Sequence, residues 1–386
     1  MKLSSVHNLS SGDTSVNYIV EVEAEVLKDI IKKADKVCGT LEPSMRKLVF
    51  LSEDERLYVI ASDGCLSGYF PVVPFYSKIT SPFEVPLDVV KHFVSELSGK
   101  IILHFQDGVL SLKSQNEMMR LRITPFQKDR EEKIFVPKHP EGAIFSKRKL
   151  LSELDFASSF LEEGSYVDLY FSRSALEVIS QHYGLVAYSR LDVERNTDNS
   201  EMVSENDVVS FSIRIPYVST RHLIKVLEIE ETNQVQFSFN PIRNKVVIFS
   251  GDTFTMCADI PEETPHVLRS LCSRFEPKIR ILSSLLQRLL RRSLIAGRFS
   301  DVEIYSRHGE IVVVSQHGPI AYKGSIPIQR ESEEVRFSFQ TKAFMLRSVL
   351  NRIGSQHVLI DNVDEYVLLA PPSLSRFLVV RNQRIQ

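Results

Sequence analysis

The chain has 386 residues, 43% hydrophobic and 25% charged, with a net charge of −2. That composition excludes a disordered or collagen-like chain, and no stretch approaches the roughly 18 consecutive apolar residues of a membrane helix. A charge this small exerts no global pull on nucleic acid or membrane, so a nucleic-acid partner has to be met by locally concentrated charge.

Residues 1–17 are polar and Ser-rich and lack the charged-then-apolar order of a secretory signal. They read as a disordered lead. From there a helix-period pattern recurs six times, over Ala24–Val37, Pro86–Leu97, Ser146–Leu161, Tyr217–Glu228, Lys278–Ala296 and Thr341–Ile353. The starts differ by 62, 60, 71, 61 and 63 residues. Each helix is preceded by a β-like run: Tyr18–Glu23, Ser81–Val85, Ala143–Phe145, Val208–Ile215, Leu271–Phe275 and Val335–Phe339. Several helices open on Ser, Thr or Pro, which suit an N-cap or first-turn position. Each is followed by two or three runs rich in Val, Ile, Leu, Tyr and Phe, such as Lys100–Phe105 with Val109–Lys113 and Gln234–Phe239 with Lys245–Phe249. Turn residues link them: Asp107-Gly108, Asn240-Pro241, Arg307-His308-Gly309 and Asp361-Asn362. The repeating unit is therefore a strand, a helix and a small antiparallel meander.

Two units make a domain of ordinary size, about 120 residues. The expected division is 1–126, 127–260 and 261–386. The charge run Gln127–Lys133 with Pro137 and Pro140, and the acidic connector Pro261–Pro265, mark the joins. The long interval of 71 comes from a polar exposed loop, Glu194–Asp207. Four cysteines, Cys38, Cys65, Cys257 and Cys272, lie far apart without a C-x-x-C pair. They read as reduced thiols of a cytoplasmic protein rather than zinc ligands or a disulfide framework.

The six helical spans carry +10 and the remainder −12. In the first, Lys28, Lys32 and Lys36 recur at every fourth residue, away from the stripe of Leu27, Ile30, Ile31 and Ala34. In the fifth, Arg280, Arg288 and Arg291 share a face. Solvated Lys and Arg faces are ordinary for any single helix. Six at one period, with charge segregated onto them, describe a surface that attracts phosphate without reading sequence. The cations nominated for such phosphate contacts are Lys28, Lys32, Lys36, Arg221, Lys225, Arg288, Arg291, Arg292 and Arg347.

Catalytic patterns are absent from the sequence. There is no phosphate-cradling glycine loop, no H-E-x-x-H and no G-x-S-x-G elbow. The acidic clusters Glu331/Glu333/Glu334 and Asp361/Asp364/Glu365 sit at loop-to-strand junctions and read as solvated turns. A non-enzyme without cofactor or metal is expected. The competing enzyme reading, a nuclease or transferase, requires the second cluster to converge with other acids.

At this point the chain resembles the bacterial DNA polymerase III beta subunit, the sliding clamp, from Tyr18 to the C-terminus. Val178–Ser189, with Ser180-Gln181-His182-Tyr183-Gly184-Leu185 at its centre, aligns without gaps to that family's V-A-T-D-G-H-R-L-A-V-x-S segment. Ala61-Ser62-Asp63-Gly64 holds the equivalent place in the first domain. Phe254–Pro261 is similar to the strand before the family's F-P-D-Y connector, and Leu378–Ile385 is in register with its Y-V-V-M-P-M-R-L tail.

The resemblance implies an α+β fold of three tandem clamp domains, each of two strand–helix–meander halves. Two copies would join head to tail as a homodimeric ring around double-stranded DNA, without sequence preference. Closing the ring removes the exposed sheet edges at the ends of an open arc. DNA polymerase and clamp loader subunits are the implied partners. Leu110 and Leu112 of one copy would face Leu294 of the other. A groove for a partner peptide would involve Ser180, Tyr183, Leu185, Pro261, Val267, Val379, Arg381, Gln383 and Arg384. The family's apolar M-P-M is here Arg381-Asn382-Gln383, so the groove floor is more polar and the family's apolar peptide should bind more weakly. A diverged paralogue with its own repair partners, or a checkpoint-type clamp, is the nearest alternative.

Overall fold

The computed structural model describes residues 18–53, 56–74, 82–126, 142–194, 211–240, 245–257, 259–261, 265–330 and 336–383. The expected lead, the 127–133 charge run, most of the 194–207 loop, the 262–264 connector, Glu331, Glu333, Glu334, Arg384 and Ile385 lie outside them. The chain divides into two compact units, Met1–Asp63 with Gly68–Val136, and Gly64–Ser67 with Pro137–Gln386.

In the first unit β1 (Tyr18–Glu23) runs directly into α1 (Ala24–Cys38), and a meander follows: β2 (Lys47–Glu53), β3 (Arg56–Ser62) and β4 (Leu66–Pro74). The pattern then repeats with β5 (Phe83–Pro86), α2 (Leu87–Ser95), β6 (Lys100–Gln106), β7 (Val109–Lys113), β8 (Met118–Arg122) and the two-residue β9 (Thr124–Pro125). The strand before each helix does not join the meander that follows it. β1 pairs with β6, placing Val20 opposite Leu103, and β5 pairs with β2, placing Val85 opposite Leu48. The strand orders are β1-β6-β7-β8 and β4-β3-β2-β5-β9.

Residue periodicity explains what is buried. Val20 and Val22 are buried while Ile19, Glu21 and Glu23 are exposed, the two-residue alternation of a sheet with one covered face. α1 buries Leu27, Ile30, Ile31, Ala34, Val37 and Cys38, a single stripe at helical spacing. It stops at Gly39, whose φ of 52° suits a residue without a Cβ. Between the layers Phe50, Phe83 and Phe105 meet with ring centroids 5.1–5.8 Å apart.

The second unit repeats the exchange twice. β10 (Ala143–Ser146), α3 (Lys147–Ser158), β11 (Tyr166–Phe171), β12 (Ala175–His182) and β13 (Leu185–Asp192) are followed by β14 (Phe211–Pro216), α4 (Tyr217–Leu227), β15 (Gln234–Asn240), β16 (Lys245–Ser250) and β17 (Asp252–Cys257). A short helix, α5 (His266–Ser273), precedes β18 (Ile279–Leu282), α6 (Ser283–Ser293), β19 (Asp301–Arg307), β20 (Glu310–His317), β21 (Ile320–Pro327) and the two-residue β22 (Gln329–Arg330). The chain closes with β23 (Ser338–Lys342), α7 (Ala343–Leu350), β24 (His357–Val363), β25 (Tyr366–Ala370) and β26 (Arg376–Arg381). β10 joins β15, β14 joins β11, β18 joins β24 and β23 joins β19. One continuous sheet, β14-β11-β12-β13-β26-β25-β24-β18-β22, spans the seam where Leu185 pairs with Val380.

The exchange also explains how the helices begin. Among the described residues no α-helix has a side-chain cap hydrogen bond, although Pro86, Ser146, Pro216 and Pro265 stand at N-cap positions. In five of them the first N–H instead donates to the carbonyl just before the partner meander: Ala24 to Gly99, Leu87 to Arg46, Lys147 to Asn233, Tyr217 to Ser165 and Ser283 to Gln356, at 2.7–2.9 Å. The β-ladder runs one residue into the helix and satisfies one of the first-turn donors that have no partner within the helix.

Three sequence expectations change. Leu271–Phe275 is not a strand: residues 266–273 are helical, and Ile279–Leu282 is the strand before α6. Lys278 and Arg280 therefore leave the helix, while Lys342 and Arg352 flank α7. Asp361 and Asn362 lie inside β24, and the turn comes at Asp364, where φ is 51°. The Asp107-Gly108 and His308-Gly309 turns have positive φ at both central residues, the hairpin geometry their sequences suit.

Candidate nucleic-acid and partner interfaces

Within each unit the helices of exchanged halves pack as pairs: α1 on α2, α3 on α4 and α6 on α7. Their covered stripes leave the cations on the other side. Lys28 is 3.0 Å from Glu25. Arg221 donates to Asp155 at 2.7 Å, and the other oxygen of the same carboxylate accepts from Arg352 at 3.0 Å. These two nominated cations thus have counter-charges. Lys32, Lys36, Lys225, Arg288, Arg291, Arg292 and Arg347 form no ion pair with a described residue. Arg288, Arg291 and Arg292 are exposed on consecutive turns of α6 and, with Ile295 and Tyr322, line an open cleft of about 660 Å³. An unpaired guanidinium is the group best suited to a phosphate oxygen.

The expected interface leucines stand elsewhere than their role requires. Leu110 and Leu112 lie on β7, 0% and 1% exposed, in the first unit's own core. A side chain already buried has no surface left for a partner. Their neighbours on the edge strand β8 are Leu121 and Met119, both half-buried. Leu294 is half-buried in the turn after α6, whereas Ile295 beside it is 69% exposed.

The residues nominated for a partner groove separate into a buried set and an exposed set. Ser180, Leu185 and Val379 are buried, and the Ser180 hydroxyl donates to the Ala157 carbonyl at 2.7 Å. Pro261 is buried as well. Tyr183, Val267, Arg381 and Gln383 are exposed; Arg381 lies 3.2 Å from Glu365, and the Gln383 backbone N–H donates to the Ser338 carbonyl. On the outer sheet face Tyr188, Phe377 and Val379 pack under Leu268, Leu271 and Cys272 of α5. A buried polar latch fixes that helix: Arg269 donates twice to Glu177, whose Oε1 also accepts from the Tyr188 hydroxyl at 2.7 Å. Burial, then Glu177, pushes the Tyr188 phenol up; burial and the same carboxylate push the Cys272 thiol up to about 12.

No family model matches the sequence, and no curated protein matches it. Solved structures do. The DNA polymerase sliding clamp from Caulobacter crescentus superposes with a TM-score of 0.74 at 14% identity. The DNA polymerase III beta subunit from Thermotoga maritima gives 0.72 at 18%, and that from Pseudomonas aeruginosa 0.73 at 13%. Each comparison covers 95% of this chain and 100% of the other. This chain has the sliding-clamp fold.

In this clamp fold the acidic cluster that suggested an enzyme is dispersed among separate cations. Asp361 accepts from the backbone N–H groups of Glu276 and Asn362 and lies 3.1 Å from Lys278. Asp364 pairs with Arg274, and Glu365 with Arg381. Among the described residues no three His, Cys, Asp or Glu side chains are grouped to hold a metal ion, and no helix is long and apolar enough to cross a membrane. Among the described residues three exposed helix cations are not among those nominated: Lys91 on α2, which pairs with Asp35, and Arg148 and Lys149 in the first turn of α3. The triplet Lys147-Arg148-Lys149 was visible in the sequence, but its consecutive spacing makes no four-residue stripe. Lys147 turns away to the Glu230 carbonyl.

Proposed function

We propose that this protein is a DNA sliding clamp: a non-catalytic, cytoplasmic processivity factor that encircles duplex DNA as a homodimeric ring and tethers DNA polymerase. Its three domains, 1–126, 127–260 and 261–386, would each be one strand-exchanged pair of halves. The observation that carries the reading is the match to sliding clamps over 95% of the chain. The unpaired cations of the helices support it, since a ring that holds DNA topologically needs only weak, sequence-blind phosphate contacts. Closure would join β8 of one copy to β21 of the other, with Met119, Leu121 and Ile295 replacing Leu110, Leu112 and Leu294 as the apolar contacts.

Polymerase and clamp loader peptides would dock on the rim formed by Tyr183, Val267, Arg381 and Gln383. The buried floor and polar tail favour a partner set of its own, as expected of a diverged clamp. Duplex binding measured across a salt series tests the reading. Arg288→Glu with Arg291→Glu should lower affinity and reduce the slope of log K against log salt by about 2. Affinity insensitive both to salt and to this double change would contradict it.

A further inference from the structure

The two strands that would close the ring carry opposing messages on their two faces, and this inference rests on the clamp reading above. Toward the helices β8 presents Met119 and Leu121, next to buried Leu112 and Leu110. β21 presents Ile320 and Tyr322 on the corresponding side, with Ile295 alongside Tyr322 in the cleft. Ile320 is 44% exposed. Each apolar row is incompletely covered within its own chain. On the outward face the alternation of a strand places Arg120 and Arg122 on β8 and Lys323 on β21. All three are exposed and none forms an ion pair with a described residue. Neither strand contains a carboxylate; Glu117 stands before β8, and Glu310 lies beside Pro327 at the end of β21.

We propose that the two sides of the closing seam are complementary in their apolar rows and mutually repelling in their charged rows, so that ring closure is controlled by ionic strength. Antiparallel neighbours hold facing side chains roughly 5–8 Å apart, and like charges there are destabilising. Salt screens that repulsion and leaves the apolar contact intact. The dimer therefore tightens as salt rises, the reverse of a seam held by ion pairs. A ring of this kind exchanges subunits readily at low salt and closes as its cations are screened.

Sedimentation velocity over a dilution series of the full chain, at 50 and 300 mM NaCl, tests this. The expected result is a dimer dissociation constant several-fold lower at 300 mM, with Lys323→Glu tightening the dimer roughly tenfold at 50 mM and inverting the salt trend. Arg120→Glu, at an equally exposed site, should act in the same direction. A wild-type dimer that weakens with salt, or is unmoved by both charge reversals, overturns the inference and leaves the ring intact if Leu121→Asp still gives monomers. A chain that is monomeric at both salt concentrations overturns the inference and the ring together.

Discussion

Glu177 is a carboxylate only 2% exposed, and its two oxygens are taken up by one guanidinium and one phenol. Removing one partner of such a pair strands the other's charge, which costs more than the pair contributes. Glu177→Ala should therefore destabilise the second unit by about 3 kcal/mol, and Tyr188→Phe by about 1 kcal/mol. Chemical denaturation measures both, and hydrogen exchange should rise over His266–Ser273 in the first variant. Equal, negligible effects would show that α5 is held by its apolar side alone. The thiols give a second reading at this scale. Burial pushes Cys38 up to about 11 from 9.0, so its protonated form belongs to the native state. The stability linked to it is complete below pH 9.0 and declines as pH rises toward the folded value. In native protein at pH 8, iodoacetamide should modify exposed Cys257 first, half-buried Cys272 more slowly and buried Cys38 only on unfolding; uniform rates would contradict the burial described here.

Elements differ in how far the sequence foretells them. Six helices were legible because each carries one apolar stripe at helical period, and the hairpins because Asp-Gly and His-Gly turns punctuate alternating runs. α5 was not. Its eight residues end in Leu271-Cys272-Ser273, which with Phe275 reads as a β-like run, and the prolines at 261 and 265 suggest a mere connector. Strand exchange was equally hidden. Alternation in β1 shows which face is buried, but its partner β6 begins 77 residues beyond its own end, and no local signal selects it over β2. The interface leucines were misplaced for a related reason: Leu110 and Leu112 alternate like any edge residues, and only the register shows a further strand outside them. The edge prediction follows from that register. Leu121→Asp should abolish the dimer in light scattering and leave far-UV circular dichroism unchanged. A persisting dimer would move the interface off β8.

For the whole molecule, segregated charge and a ring that holds DNA topologically would act together. Most of the nominated cations lie on the outer sides of the paired helices while the chain as a whole carries −2, so under the proposed reading DNA would be drawn chiefly to the helices. The partner groove was only partly legible. The resemblance nominates its residues, but burial of Ser180, Leu185 and Val379 depends on long-range packing of the seam between β13 and β26. The central claim is that the chain encloses DNA, and retention on circles measures it directly. Protein incubated with a nicked circular plasmid, passed through a gel-filtration column in moderate salt and then treated with a single-cutting nuclease should co-elute with the circle and be released on linearisation. Equal retention on circular and linear DNA, or none on either, would contradict it.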